Sequence, residues 1–220
     1  MEARGESWHQ RLGARIRWAL GRRAPSGALS QRWVVVDLET SGLDARRDEV
    51  LAIGAVAVVG TRIAIADSFE MGVRVPRASS VENILVHEIG GEAQLRGTEP
   101  VEALERFRDY VGSSPLVAFH AEFDRAFLER ASRKHRCASL RVPWLDVAEL
   151  APALNADFRG DSLDDWLAHF GIPNGRRHHA ASDALATAML FVRLLAQLPP
   201  ESADAGEAYR LATHRRHLGR

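Results

Sequence analysis

Three short stretches hold residues that could do chemistry together. In the first, Asp37-Leu38-Glu39 ends the β-branched run Val34-Val35-Val36. Side chains two apart on a strand point the same way, so both carboxylates can face one site. Taken alone, such a pair is also an ordinary polar strand end. The turn Thr40-Ser41-Gly42-Leu43 follows at once, and its glycine lets backbone amides approach a ligand. In the second stretch, Phe123-Asp124 comes soon after the apolar run 116–119. There Asp124 is placed to open the next helix and could be nothing more than its N-cap. In the third, His178-His179-Ala180-Ala181-Ser182-Asp183 leads into the last apolar helix. If Leu185, Met189 and Phe191-Val192 anchor that helix, Asp183 faces inward, where a lone carboxylate is costly and a cation would balance it. His178, on the loop ahead of the helix, could lean over such a site and accept a proton near neutral pH.

The elements that must carry these groups are readable from periodicity. Residues 33–38, 50–59 and 63–75 read as three strands, with Gly60-Thr61 at a hairpin between the second and third. Residues 100–110 have helical spacing in Leu104, Phe107 and Val111. A strand at 116–119, a helix at 124–134 and a strand at 141–145 follow. Helices near 147–154, 162–170 and 180–197 complete the chain. Hairpins first and crossovers later predict an α/β fold with a mixed five-stranded sheet flanked by helices.

At 46% hydrophobic and 26% charged residues, the composition is that of a globular domain and excludes disordered or fibrous classes. The expected organisation is one catalytic domain at 33–199, a basic extension and linker at 1–32, and a tail at 200–220. Within the extension, Trp8, Leu12, Ile16, Ala19 and Leu20 recur at helical spacing among arginines. Such a helix could lie on nucleic acid or a membrane, dock on a protein partner, or pack on its own domain. Formal net charge is zero, but residues 1–32 carry seven arginines against two glutamates, leaving the domain acidic. An acidic domain does not bind polyanions by charge alone; carboxylates that gather metal ions can still meet phosphates. The single cysteine, Cys137, excludes an internal disulfide framework and a multi-cysteine zinc site. The apolar stretch near 51–59 is too short for a membrane span, and the expected location is cytoplasmic.

In this order and spacing the three stretches resemble the DnaQ-like exonucleases of the DEDD superfamily, in the subclass with a histidine base. The resemblance covers about residues 33–197. It rests on Val34 through Leu43, on Val117-Ala118-Phe119-His120-Ala121-Glu122-Phe123-Asp124 with Phe127-Leu128, and on His178 through Asp183. Val86-His87-Glu88-Ile89, Pro100 ahead of a helix, and Ser162-Leu163 ahead of Phe170-Gly171-Ile172 look like the family's connecting segments.

The resemblance implies a ribonuclease-H-like exonuclease fold acting on nucleic-acid 3′ ends, DNA favoured over RNA, with two divalent cations, Mg²⁺ or Mn²⁺. It implies that Asp37 bridges both metals, that Glu39 and Asp183 complete the site of the attacking water, and that Asp124 supports the second metal. His178 would be the general base, chosen over His179 by the family spacing to Asp183. Thr40 and Leu43 would hold the 3′-terminal nucleotide, and the product would be a nucleoside 5′-monophosphate. Trimming of RNA, or a silent binding module of the same fold, are the alternative readings. Two departures stand out. Phe119-His120 replaces the usual His-Asn pair, making His120 a polar replacement or a second proton acceptor. Glu88-Ile89-Gly90-Gly91 lacks the threonine the family tends to carry after the isoleucine. Asp146, Asp161, Asp164 and Asp165 read as strand-end support, loop charge or helix caps rather than metal ligands.

Overall fold

The computed structural model describes residues 32–173, 178–198 and 208. Strand β1 (Arg32–Thr40) is a run of β-branched residues buried on both sides, as expected of a central strand. Strands β2 (Val50–Val59) and β3 (Arg62–Gly72) pair antiparallel with it in sequence, joined by a tight turn in which Gly60 takes a φ of 60°. On the other side β1 pairs parallel with β4 (Leu116–Ala118), which pairs parallel with β5 (Trp144–Asp146). The sheet order is β3-β2-β1-β4-β5, the mixed five-stranded arrangement the element order implied.

Helices α1 (Val81–His87), α2 (Gly91–Arg96), α3 (Pro100–Val111) and α4 (Ala121–His135) precede β5; α5 (Val147–Leu154), α6 (Leu163–His169) and α7 (Ala180–Leu195) follow it. Alternation along β1 divides the core in two. Val34, Val36 and Leu38 pack with Leu104 and Phe107 of α3 and Phe127 of α4. Trp33 and Val35 pack with Leu150 of α5, Trp166 of α6 and Phe191 of α7. The sheet is therefore a middle layer between two helical ones.

Several expectations shift. The third strand stops at Gly72 instead of running to Val75; Val73 forms an isolated parallel bridge to Thr98, and its amide donates to the Leu51 carbonyl at 2.8 Å. The fifth spans Trp144–Asp146 rather than 141–145, because Pro143 has no amide to give a ladder. Asp124 is not an N-cap. Its helix begins a turn earlier at Ala121, with His120 at the cap position. In α7 the buried face includes Ala184, Ala188, Leu190, Phe191, Leu194 and Leu195, whereas Leu185, Met189 and Val192 are only half-buried. The expected anchors were thus partly wrong, yet Asp183 does face inward, at 5% exposure. The basic helix expected at 7–20 and most of the tail lie outside the described residues. Among the described residues no helix is long and apolar enough to cross a membrane.

The edge strand β3 carries a pronounced bulge: pairing jumps from Val56↔Ser68 to Ala57↔Ala64, leaving residues 65–67 out of register. One of them, Asp67, receives Arg32 through Nε and Nη2 at 2.7 and 2.9 Å. Arg32 also donates to Ser114 Oγ at 2.9 Å and to the Tyr110 carbonyl, and its guanidinium lies 4.8 Å from the Tyr110 ring centre. Burial, reinforced by the Asp67 charge, pushes the Tyr110 hydroxyl up to about 12, and that hydroxyl donates to the Asp67 carbonyl.

Phe191 is fully buried with its ring 5.3 Å from Trp33, edge to face. Replacing it with alanine should remove about 3–5 kcal/mol of stability, read from urea unfolding; a loss below ~1 kcal/mol would mean the α7 layer is not packed as described.

Candidate active site

The same alternation that sends Trp33 and Val35 toward α7 sends Asp37 and Glu39 there too. In the ladder Asp37 lies opposite Gly54, which lies opposite Glu70, so one row crosses three strands. The first turn of α7 is pressed onto the middle of that row. A Cβ added at Gly54 would come within 2.2 Å of the Ala180 carbonyl carbon and the Ala181 nitrogen. Only glycine admits so close an approach of two backbones. At one end of the row His179 Nε2 meets Glu70 Oε1 at 3.3 Å. At the other, one oxygen each from Asp37, Glu39 and Asp183 lie within 4.8 Å of one another. His178 is exposed just before α7, with φ 58°, and its amide donates to Asp183 Oδ2 at 3.0 Å. A set of carboxylate oxygens with no nitrogen or sulfur suits a hard divalent cation.

Asp124 is 4% exposed in the first turn of α4, outside that three-carboxylate group. Burial raises its carboxyl well above the ordinary range, and the neighbouring charges of Asp146 and Glu39 push the same way; a hydrogen bond from the Leu38 backbone partly offsets them. Asp146 caps α5 by accepting from Ala148 N–H at 2.9 Å, and it also accepts from His120 N–H at 3.0 Å. Burial raises its carboxyl too. The strand-end and capping role read for Asp146 is thus what it performs. Asp165 likewise completes a capping box with Ser162.

The turn after β1 is tied from several sides. The Thr40 hydroxyl donates to the Gly42 carbonyl at 2.7 Å, and the Thr40 carbonyl accepts from Asn83 Nδ2 of α1 at 3.0 Å. Asp48 closes the turn's far end by accepting from the Asp44 amide at 2.9 Å. Leu43 at its tip is 86% exposed. Below it, His87 is buried at 2% exposure, between Asn83 Oδ1 at 2.6 Å and the Ile89 amide at 3.0 Å.

The exonuclease family model RNase_T matches residues 34–191, from β1 into the last turns of α7. The chain belongs to this family of DnaQ-like 3′-to-5′ exonucleases. Among curated proteins, it is 31% identical over 180 residues to the PolC-type DNA polymerase III of Bacillus subtilis, and 32% over 163 residues to that of Thermotoga maritima. These alignments cover 81% and 74% of this chain but only 12% of each polymerase. The chain thus spans about one eighth of those relatives' length. Among solved structures, Exonuclease X in complex with 5′-overhanging duplex DNA superposes with a TM-score of 0.63 at 22% identity, covering 82% of this chain and 99% of that one. The nuclease domain of 3′hExo, a DEDDh family member bound to rAMP, gives 0.68 at 18% identity, covering 76% and 92%. These structures share the ribonuclease-H-like fold.

Against this exonuclease family, both departures acquire a physical description. His120 adopts φ 61°, ψ 52° at the cap position of α4, a left-handed conformation that asparagine tolerates well and histidine with less ease. Its ring is exposed, 4.7 Å from that of Phe119, and its amide is fixed by Asp146. At 88–91, Gly90 occupies the cap position of α2 without a side-chain bond. Sequence reasoning missed Gly54, Glu70 and Asn83 as supports of the site. A lone glycine inside an apolar strand was the one available signal, since it marks a bulge or a close backbone approach.

Gly54→Ala in this exonuclease should displace α7, costing about 1–3 kcal/mol and, through misplacement of Asp183, on the order of 100-fold in activity. Normal hydrolysis by the variant would show that the close backbone contact is dispensable. His87 gives a pH signature. Burial lowers its pKa below the ordinary 6.5, so the stability it contributes is complete above that value and is lost as pH falls toward the folded-state pKa. The stability difference between wild type and His87→Gln should therefore shrink between about pH 7.5 and about pH 5 in thermal melts.

Proposed function

We propose that this exonuclease removes nucleoside 5′-monophosphates from unpaired DNA 3′ ends, with Asp37, Glu39, Asp183 and Asp124 holding divalent Mg²⁺ or Mn²⁺. The observation that carries the reading is the convergence of Asp37, Glu39 and Asp183 oxygens within 4.8 Å, from elements far apart in sequence. When bound, a pair of such cations would stabilise the attacking and leaving oxygens of an in-line displacement and activate water. The protein's own groups divide the remaining work. His178 takes the proton from the attacking water through its imidazole, its backbone tied to Asp183 so that ring and carboxylate stay in register. Asp124, buried beside Glu39, contributes a further oxygen donor from the α4 side. Thr40 and Leu43 seat the terminal nucleotide, Leu43 projecting from the turn where a base can rest against it.

The preference for DNA is supported by the DNA polymerase relatives, and unpaired ends fit because a single strand enters a narrow site without strand separation. A cytoplasmic location accords with a lone cysteine.

Degradation of 5′-labelled single-stranded DNA and RNA with Mg²⁺ or Mn²⁺ tests the whole reading. Wild type should release mononucleotides from the 3′ end, faster from DNA. Asp37→Ala should abolish release, and His178→Ala should lower kcat by roughly 10²–10⁴ with little change in KM. Faster RNA cleavage would reverse the substrate assignment; full activity of Asp37→Ala would sink the site.

A further inference from the structure

We infer that Asn83 and His87 are positioning residues that set the seat of the 3′-terminal nucleotide by fixing the carbonyl of Thr40; this rests on the reading of the Thr40 turn as that seat. The Ile89 amide points its hydrogen at His87 Nδ1, 3.0 Å away, so that nitrogen is the acceptor and the ring proton resides on Nε2. The Nε2–H then donates to Asn83 Oδ1 at 2.6 Å. With its oxygen committed to His87, the Asn83 amide has its NH₂ facing Thr40, and it donates to the Thr40 carbonyl at 3.0 Å. Rotating the amide by half a turn would set donor against donor at one end and acceptor against acceptor at the other. The relay accordingly has one low-energy arrangement.

It is also anchored at its far end. Gln94 of α2, 1% exposed, donates to the Ile89 carbonyl at 2.8 Å and to Ser79 Oγ at 2.9 Å, and accepts from the Ser79 amide at 2.8 Å. A continuous polar strut thus runs from α2 through Ile89, His87 and Asn83 to the last residue of β1. Its end point lies beside the shift in the β1–β2 register between Glu39 and Thr40; pairing resumes at Thr40↔Val50, and Ser41 N–H donates to the Glu49 carbonyl at 2.9 Å, so the strut holds the opposite side of the same turn. None of these residues belongs to the carboxylate group, so the strut acts on the nucleotide's side of the site.

The test uses the full chain with Mn²⁺ and a short single-stranded DNA, with Asp37→Ala as the reference for a dead site. Asn83→Asp keeps shape and still accepts from His87 but cannot donate to Thr40. It should raise KM about tenfold and leave kcat within about threefold, with weaker product inhibition by a nucleoside 5′-monophosphate. His87→Gln, which can still donate to Asn83, should stay closer to wild type than His87→Phe. Unchanged KM in Asn83→Asp, with Asp37→Ala inactive, would overturn this inference alone. A fall in kcat at constant KM would overturn it too, placing the relay on the chemical step. Activity in Asp37→Ala would remove the site reading and this inference with it.

Discussion

The closest backbone approach in the site, Gly54 of β2 against the first turn of α7, is the contact on which the arrangement depends. Asp37 and Glu39 come from the first strand and Asp183 from the last helix, so only tertiary packing brings them within 4.8 Å. Two unit negative charges at such a separation repel by about 3 kcal/mol at an effective dielectric near 20. Something must hold them against that repulsion. The means is apolar: the buried face of α7, from Ala184 to Leu195, packs over β1 and β2 and presses its N-terminal turn onto a strand position with no side chain. The acidic end of the helix is carried by the rest of it.

The carboxylate group and the turn after β1 are built by different physics. The carboxylates are placed by helix-on-sheet packing, in which position follows from volume and alternation. The turn after β1 is placed by directional hydrogen bonds, one from Asn83 of α1 and others from within the turn and from residues 48–49, where a donor and an acceptor must each be oriented. Packing resists displacement in every direction; a hydrogen-bonded strut resists mainly rotation and slip. The function proposed above, holding ions firmly while admitting and releasing a nucleotide, has use for both.

Much of the carboxylate group was legible in the sequence because strand alternation and helical periodicity are local. Val34 to Glu39 announced which carboxylates share a face, and the apolar run after Asp183 announced a buried helix. The anchors within that helix were misread, since Leu185 and Met189 are half-buried while the small Ala184 and Ala188 lie fully against the sheet. Helices α1 and α2 went unforeseen because Val81, Leu85 and Leu95 face outward, so their apolar spacing points away from any core. The cap position of α4 was hidden by His120, whose left-handed backbone is set by tertiary contacts. The strut from Gln94 to Thr40 joins residues up to 54 positions apart, and no local pattern encodes it.

The clamp on Arg32 bears on mechanics. At the first residue of β1 the guanidinium is held by Asp67, Ser114 and Tyr110. Five residue steps along β1, roughly 17 Å of extended chain, separate that grip from Asp37. Arg32 thus ties the start of β1 to the bulge of β3 and to the end of α3, a brace set apart from the carboxylates at the strand's other end.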